Sequence, residues 1–257
     1  MKERLDLLVV ERRLVESRSK AHWLIREGLV SVDGKIIIKP GKLIHNYSKI
    51  ELIKEFPYVG RGGLKLEAAL KNFTILPKDK VCVDIGASIG GFTDCLLKHG
   101  ASRVYAIDSA TGLLHPSLVC KPKKVIKLLG VDARNVNTLN EKIDIVTIDI
   151  TFASLKSILP NVLNFLKKDG DIIVLIKPIF ETDFHNLNKF KIITDPKLLI
   201  RILDDLFEWC IDNGIYLKNI MKSPIPGKGG SIEFLAHFKM EKLPNFKYEN
   251  ILKNIVK

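Results

Sequence analysis

No two cysteines in this chain stand close enough in sequence to clasp a metal or form a redox dithiol. Cys82, Cys95, Cys120 and Cys210 lie 13, 25 and 90 positions apart, with no C-x-x-C spacing. A zinc knuckle and a thioredoxin-like motif are therefore excluded, and with no histidine–cysteine cluster no metal is expected. Long apolar runs are also missing. The best, residues 172–176, ends at Lys177 and falls far short of the roughly 20 residues that cross a bilayer. The start, Met1-Lys-Glu-Arg-Leu-Asp6, has no apolar h-region. Scattered cysteines without such a leader fit a soluble protein of the reducing cytoplasm. Internal repeats and low-complexity tracts are absent, and oligomeric state leaves no mark.

What is present is basic and apolar. The 257 residues are 46% hydrophobic, enough for a real core, and carry a formal net charge of +12. Such a balance points to an anionic partner, with nucleic acid first among candidates. A generally lysine-rich proteome would give the same total, so the location of the charges matters.

Residues 1–56 read as a compact module. Leu5, Leu7, Leu8 and Leu14 have helical spacing, and Ser17 suits the N-cap of a second helix that stops at Gly28. A strand over 29–32, the Asp33-Gly34 turn and a strand over 35–38 form a hairpin, with another strand near 50–53. Twelve cations face eight acids here, a net of +4. Arg12, Arg13, Arg18 and Lys20 bracket the turn between the helices, with Arg4 and Arg26 nearby. A solvated helix face explains such charges by default; clustering around one turn favours phosphate binding.

Residues 57–63 make a natural linker, rich in glycine. From residue 64 to 257, helical and strand patterns alternate. Helices are expected over 65–72, 91–99, 154–168 and 196–213. Strands are expected over 81–85, 104–108, 125–129, 144–149, 171–176, 216–221 and 233–239, the last two closing the chain. The alternation calls for an α/β fold of Rossmann type, a parallel sheet with helices on both faces. Functional groups should gather at the carboxyl ends of its strands.

The first of those ends is the most informative. In Val81-Cys-Val-Asp-Ile-Gly-Ala-Ser-Ile-Gly-Gly-Phe92 a strand runs into Asp84, then a loop with Gly86, Ser88, Gly90 and Gly91, then a helix beginning near Phe92. A dinucleotide site would show G-x-G-x-x-G, and the middle glycine is missing. A carboxylate two residues before the first glycine suits a cationic or hydrogen-donating ligand. The spacing is that of S-adenosylmethionine (SAM) sites; a corner with glycines placed for packing is the plainer alternative. Asp108 follows Asp84 by 24 positions, where an acid holds ribose hydroxyls in nucleotide folds, or else it caps a helix. Asp132 falls where an adenine amino group would lie, and equally suits a turn cap.

A second set is Lys65, Asp149, Lys177 and Glu233. Lys177 ends the most apolar strand, Asp149 a neighbouring one, and Glu233 begins the last, so their side chains should converge. Methyl transfer to a sugar hydroxyl needs in-line approach and a base within reach. Lys177 could serve with its pKa lowered by desolvation and a second cation, Lys65, while Asp149 and Glu233 orient the ammonium groups.

These residues resemble those of the TlyA family, whose members often carry the name hemolysin and are understood as rRNA 2′-O-methyltransferases. The first module is similar to the alpha-L RNA-binding motif of a ribosomal small-subunit protein. The match lies in Arg4-Leu-Asp6, Ser17-Arg18 and Leu24-Ile-Arg-Glu-Gly-Leu-Val-Ser-Val-Asp-Gly34. The remainder resembles the FtsJ-like methyltransferase domain, whose lysine–aspartate–lysine–glutamate pattern falls on Lys65, Asp149, Lys177 and Glu233. The resemblance implies a SAM-dependent enzyme acting on cytidine ribose hydroxyls of ribosomal RNA, with ribosomal subunits as partners. Departures are Ile179 where glutamine is usual, residues 182–193 in place of a glycine-rich stretch, Ser231 for asparagine and Gly60 for serine. The altered loop bears on target choice. The alternative from another class is a catalytically idle RNA-binding or ribosome-assembly factor; nothing in the sequence supports a membrane-lytic one.

Overall fold

A computed structural model describes residues 1–26, 28–53, 57–182, 192–242 and 248–256, and separates them into two compact units, Met1–Pro57 and Tyr58–Lys257. The expected loop change therefore lies mostly outside the described residues, at 183–191.

In the first unit, β1 (Lys2–Arg4) leads directly into α1 (Leu5–Glu11), followed by α2 (Arg18–Arg26). Leu5, Leu8 and Val9 of α1 and Ala21, Leu24 and Ile25 of α2 are buried. Each large apolar side chain removed from water in this way contributes about 1.5–3 kcal/mol. The Ser17 hydroxyl accepts from the Lys20 N–H at 3.3 Å. Gly28, at φ +70°, ends the helix in the left-handed region. Next come β2 (Val30–Val32), β3 (Lys35–Ile36), β4 (Leu43–His45) and β5 (Ile50–Leu52). Asp33 and Gly34 have φ of +49° and +75°, the conformation that a two-residue hairpin turn needs. β2 lies between β3 and β5, while β1 pairs antiparallel with β4. Neither β1 nor β4 follows from the sequence pattern. Lys2-Glu-Arg4 has little strand propensity, and its conformation comes from pairing with a segment forty residues away.

The second unit begins with the segment expected to be a linker. Tyr58 is buried there, and the Val59 N–H donates to Asp94 at 3.0 Å, so residues 58–63 pack as part of the unit. In order follow α3 (Gly62–Phe73), β6 (Val81–Ile85), α4 (Gly91–Lys98), β7 (Arg103–Asp108), α5 (Pro116–Val119) and β8 (Val125–Leu129). Then come β9 (Ile143–Ile148), α6 (Leu159–Phe165), β10 (Leu166–Ile176), α7 (Pro196–Asp212), β11 (Tyr216–Lys222), β12 (Phe234–Lys239) and α8 (Glu249–Ile255). Seven strands form one sheet in the order β11-β12-β10-β9-β6-β7-β8. Val83, Val146, Val174 and Ile176 from the strands belong to one buried cluster with Leu159, Leu203 and Phe207 from helices.

The α/β class stands as expected, with three corrections. The sheet is mixed: β12 runs antiparallel to both β10 and β11. No crossover helix separates β11 from β12, so the chain can only reverse. The helix expected over 154–168 is a short turn at Leu155–Ser157 followed by α6, which stops at Phe165. Leu166 instead pairs with Ile143 of β9, and Lys167 reaches Asp144 at 2.7 Å. Finally, α8 follows β12, so a helix rather than a strand is the last element described. Among the described residues, no helix is long and apolar enough to cross a membrane, and no group of metal-ligating side chains occurs.

Candidate active site

β6, β7 and β8 step outward in one direction, and β9 then returns to the other side of β6. A sheet whose order reverses in this way opens a crevice at the carboxyl ends of the two central strands. Here those ends carry Gly86 and Asp149. Gly86 has φ +82°, and a Cβ there would stand 2.3 Å from the Asp149 carbonyl oxygen. Only glycine lets the loop after β6 lie so close to the loop after β9.

A cavity of about 760 Å³ occupies the crevice, within the range of roughly 300–1,000 Å³ typical of small-molecule sites. Its walls include Gly86, Ser88, Gly91 and Phe92 of the glycine loop, and all four of Lys65, Asp149, Lys177 and Glu233. The four chemical residues form two ion pairs. Lys65, in the first turns of α3, meets Glu233 just before β12 at 2.5 Å, and both side chains are only 5% exposed. Removed from water, this pair has fixed geometry, and loss of either partner would strand a buried charge. Lys177, immediately after β10, meets Asp149 at 2.6 Å. Its Nζ also donates to the Ile150 carbonyl at 2.9 Å and the Thr151 hydroxyl at 3.1 Å. The three donors of an ammonium group are thus all directed.

Other expected residues lie elsewhere. Asp84 is fully buried and absent from the cavity wall. It accepts from the Thr93 hydroxyl at 2.6 Å and the Thr147 hydroxyl at 3.2 Å, tying β6 to α4 and β9. Burial pushes its carboxyl up to about 7, against the bond from Thr93. Asp108 is also absent from the cavity wall, accepting from the Ser88 N–H at 2.7 Å and the Ala110 N–H at 2.8 Å. The bond to Ser88 fixes the glycine loop. Asp132 caps the turn Ala133–Asn135 and pairs with Arg134, whose hydrogen bonds hold its carboxyl down to about 2. Gly90, at φ +95°, precedes α4 and is packed so tightly against Leu118 that a Cβ would come within 2.2 Å of it. None of these four is among the residues that line the cavity; the contacts they make hold the loop or cap a turn.

Several wall residues carry no signal in the sequence pattern. Arg61, Ile89, Thr151, Phe152 and Phe180 line the same cavity, beside Ile179, which the sequence marks as a departure. Phe152 is the most unusual. It is 74% exposed, has φ +67°, and its ring centroid lies 5.5 Å from that of Phe180. An aromatic residue three positions after Asp149 was the only available hint, and a strand-end aromatic ordinarily belongs to the core.

The cationic residues of the first unit divide by role. Asp6 is buried, and Arg4 and Arg18 both donate to it at 2.9 Å. Burial works to raise that carboxyl, but the two guanidinium groups bring it below its ordinary value. Arg12 donates to the Ser48 carbonyl at 2.6 Å and to that of Asn46, closing the loop between β4 and β5. Lys20 pairs with Glu16 at 2.8 Å. Arg13, at φ +56°, and Arg26 are exposed.

Comparison with known proteins follows this division. Residues 58–240 match the family described as FtsJ-like methyltransferase, and residues 3–45 match the S4 domain. The chain is 38% identical over 241 residues to "Hemolysin A" of Brachyspira hyodysenteriae, covering 91% of this chain and 99% of that protein. It is 33% identical over 242 residues to the "16S/23S rRNA (cytidine-2'-O)-methyltransferase TlyA" of Mycobacterium tuberculosis, covering 93% and 90%. Among solved structures, one from Streptococcus thermophilus bearing the name hemolysin superposes with a TM-score of 0.76 at 34% identity. That match covers 99% of this chain and 94% of the other.

Proposed function

Because the chain belongs to the FtsJ-like methyltransferase family, we propose that it transfers a methyl group from SAM to a ribose 2′-hydroxyl of ribosomal RNA. One observation carries the reading: two lysine–carboxylate pairs and a glycine-rich loop line the same cavity. Relatives named as rRNA cytidine-2′-O-methyltransferases support the substrate class and suggest cytidine.

The cavity suits the cofactor. Gly86 and Gly91 let the loops that line the cavity pack backbone against backbone, where a Cβ would meet the Asp149 carbonyl at 2.3 Å and the Gly63 nitrogen at 3.1 Å. The neighbouring apolar residues Ala87, Ile89 and Phe92 offer surface for a nucleoside. When bound, SAM supplies an electrophilic methyl group on a sulfonium. The residues of the chain do the rest. Lys177 stands at the cavity wall to take the hydroxyl proton as the oxygen attacks, with Asp149, Ile150 and Thr151 fixing its Nζ. Lys65, held in place by Glu233, puts a second cation at the same cavity wall. In-line placement of hydroxyl against methyl accounts for much of the rate in such a reaction. Phe152, exposed and aromatic at the same cavity, offers a face on which an unstacked base can rest.

The S4 unit is the docking module for ribosomal RNA, using the exposed Arg13 and Arg26, and the enzyme works on ribosomal subunits in the cytoplasm. The test is direct. Purified protein and methyl-labelled SAM are incubated with ribosomal RNA and with isolated subunits, and the label is mapped to nucleotides. Label at a ribose 2′-oxygen is the expected result; label on a base, or none on any RNA, refutes the reading.

A further inference from the structure

Glu181 is buried, though it lies four residues beyond Lys177 in a loop rather than in a strand or helix. Its carboxylate accepts twice from the loop that follows β9: from the Ser154 hydroxyl at 2.6 Å and from the Leu155 N–H at 2.9 Å. That second loop begins at Asp149. Its near end is already held by Lys177, which reaches Asp149, Ile150 and Thr151. The two loops are therefore joined at both ends, by Lys177 at the cavity and by Glu181 behind it. Between the joints sit Phe152, in the left-handed region, and Phe180, with their rings in contact.

We propose that Glu181 is a positioning residue for methyl transfer, fixing the loop that carries Asp149, Thr151 and Phe152 so that Lys177 and the target nucleotide meet in reactive geometry. The inference rests on the methyltransferase reading of this site. The arrangement is costly enough to need a reason. A carboxylate removed from water loses hydration that two hydrogen bonds only partly replace. Burial pushes the Glu181 carboxyl above its ordinary range, with Ser154 and Leu155 opposing. An apolar residue would fill the same space without that cost, but would leave the Leu155 N–H without its acceptor and Phe152 without a fixed backbone. A non-glycine residue at φ +67° holds that conformation only when its surroundings impose it.

The variants that separate positioning from folding are Glu181→Gln and Ser154→Ala. Glutamine matches glutamate in size, but it presents an NH2 group where two acceptor oxygens are required. Ser154→Ala removes one of the two bonds and leaves the carboxylate. Three readouts are taken on the full chain: thermal unfolding, SAM affinity by calorimetry, and hydrogen exchange across residues 149–155. Turnover is measured on the RNA that the wild-type protein methylates.

For Glu181→Gln the expected outcome is a melting temperature and SAM affinity close to wild type, and amide exchange of Leu155 faster by about tenfold or more. kcat should fall by about tenfold or more, with KM for SAM unchanged. Ser154→Ala should show the same pattern more weakly, and the double variant no more loss than Glu181→Gln alone. Unchanged exchange and kcat would overturn the proposal. So would losses of turnover, SAM binding and melting temperature in proportion, which mark a merely structural role. If wild type methylates no RNA, the functional reading has failed, while the exchange readout still tests the loop joint.

Discussion

The Lys177 Nζ lies 2.6 Å from Asp149 Oδ1, across the gap between the loops that follow two adjacent parallel strands. β9 and β10 bring the residues together, and the strand reversal beside β6 brings the glycine loop to the same place. Asp149→Asn should leave Lys177 its bonds to Ile150 and Thr151 but remove the charge that orients it. The expected result is a fall in kcat of about a hundredfold, with SAM affinity within about threefold of wild type. Single-turnover kinetics and calorimetry check it.

The Lys65–Glu233 pair makes a prediction about stability. Both side chains are 5% exposed, so Lys65→Ala strands a buried carboxylate and should cost about 3–5 kcal/mol. Removing both charges with Lys65→Met and Glu233→Leu should restore much of that stability and leave the enzyme inactive. Urea unfolding of the single and double variants measures the difference.

Gly86→Ala combines a left-handed φ with a Cβ 2.3 Å from the Asp149 carbonyl oxygen. Backbone must move apart, and the two loops with it. SAM affinity should fall by about tenfold or more, as read by calorimetry. Gly112→Ala, with a left-handed φ but nothing within 4 Å, is the control for φ strain alone and should leave affinity near wild type.

Asp84 makes stability depend on pH. Burial lifts its carboxyl in the folded protein to about 7, well above the ordinary carboxylate range, so the folded state holds the proton more tightly than the unfolded chain. The stabilisation is complete below about pH 4 and is lost as pH rises through about 7. Asp84→Asn should flatten that dependence between about pH 4 and 7. Equal slopes for variant and wild type, in urea titrations across the window, would remove the explanation.

In the first unit, Arg13→Ala and Arg26→Ala should each lower the slope of log affinity for RNA against log salt by about one. Melting temperature should be nearly unchanged. Arg12→Ala should instead destabilise the unit, because Arg12 holds the Ser48 and Asn46 carbonyls.

The sequence made the α/β class legible, because β-branched runs such as residues 81–85 and 172–176 alternate with helical spacing. It also nominated Lys65, Asp149, Lys177 and Glu233, which the fold collects at one cavity though they are spread over 168 positions. It could not tell which acid at a strand end turns inward. Asp84 faces threonines of α4 and β9 and Asp108 faces backbone N–H groups, and that choice depends on pleat and loop path rather than residue type. Nor could it separate Arg12 from Arg13, neighbours in one basic run. One is held by carbonyls more than thirty residues away, and the other is exposed.

The central claim is that the Lys177–Asp149 pair drives methyl transfer to a ribose hydroxyl of ribosomal RNA. Ribose methylation mapped on ribosomal RNA after treatment with wild-type protein or with Lys177→Ala tests it most directly. The account predicts a discrete 2′-O-methyl site with wild type and its loss with the variant, while SAM and RNA affinities stay within a few-fold. Equal methylation by both proteins would contradict it.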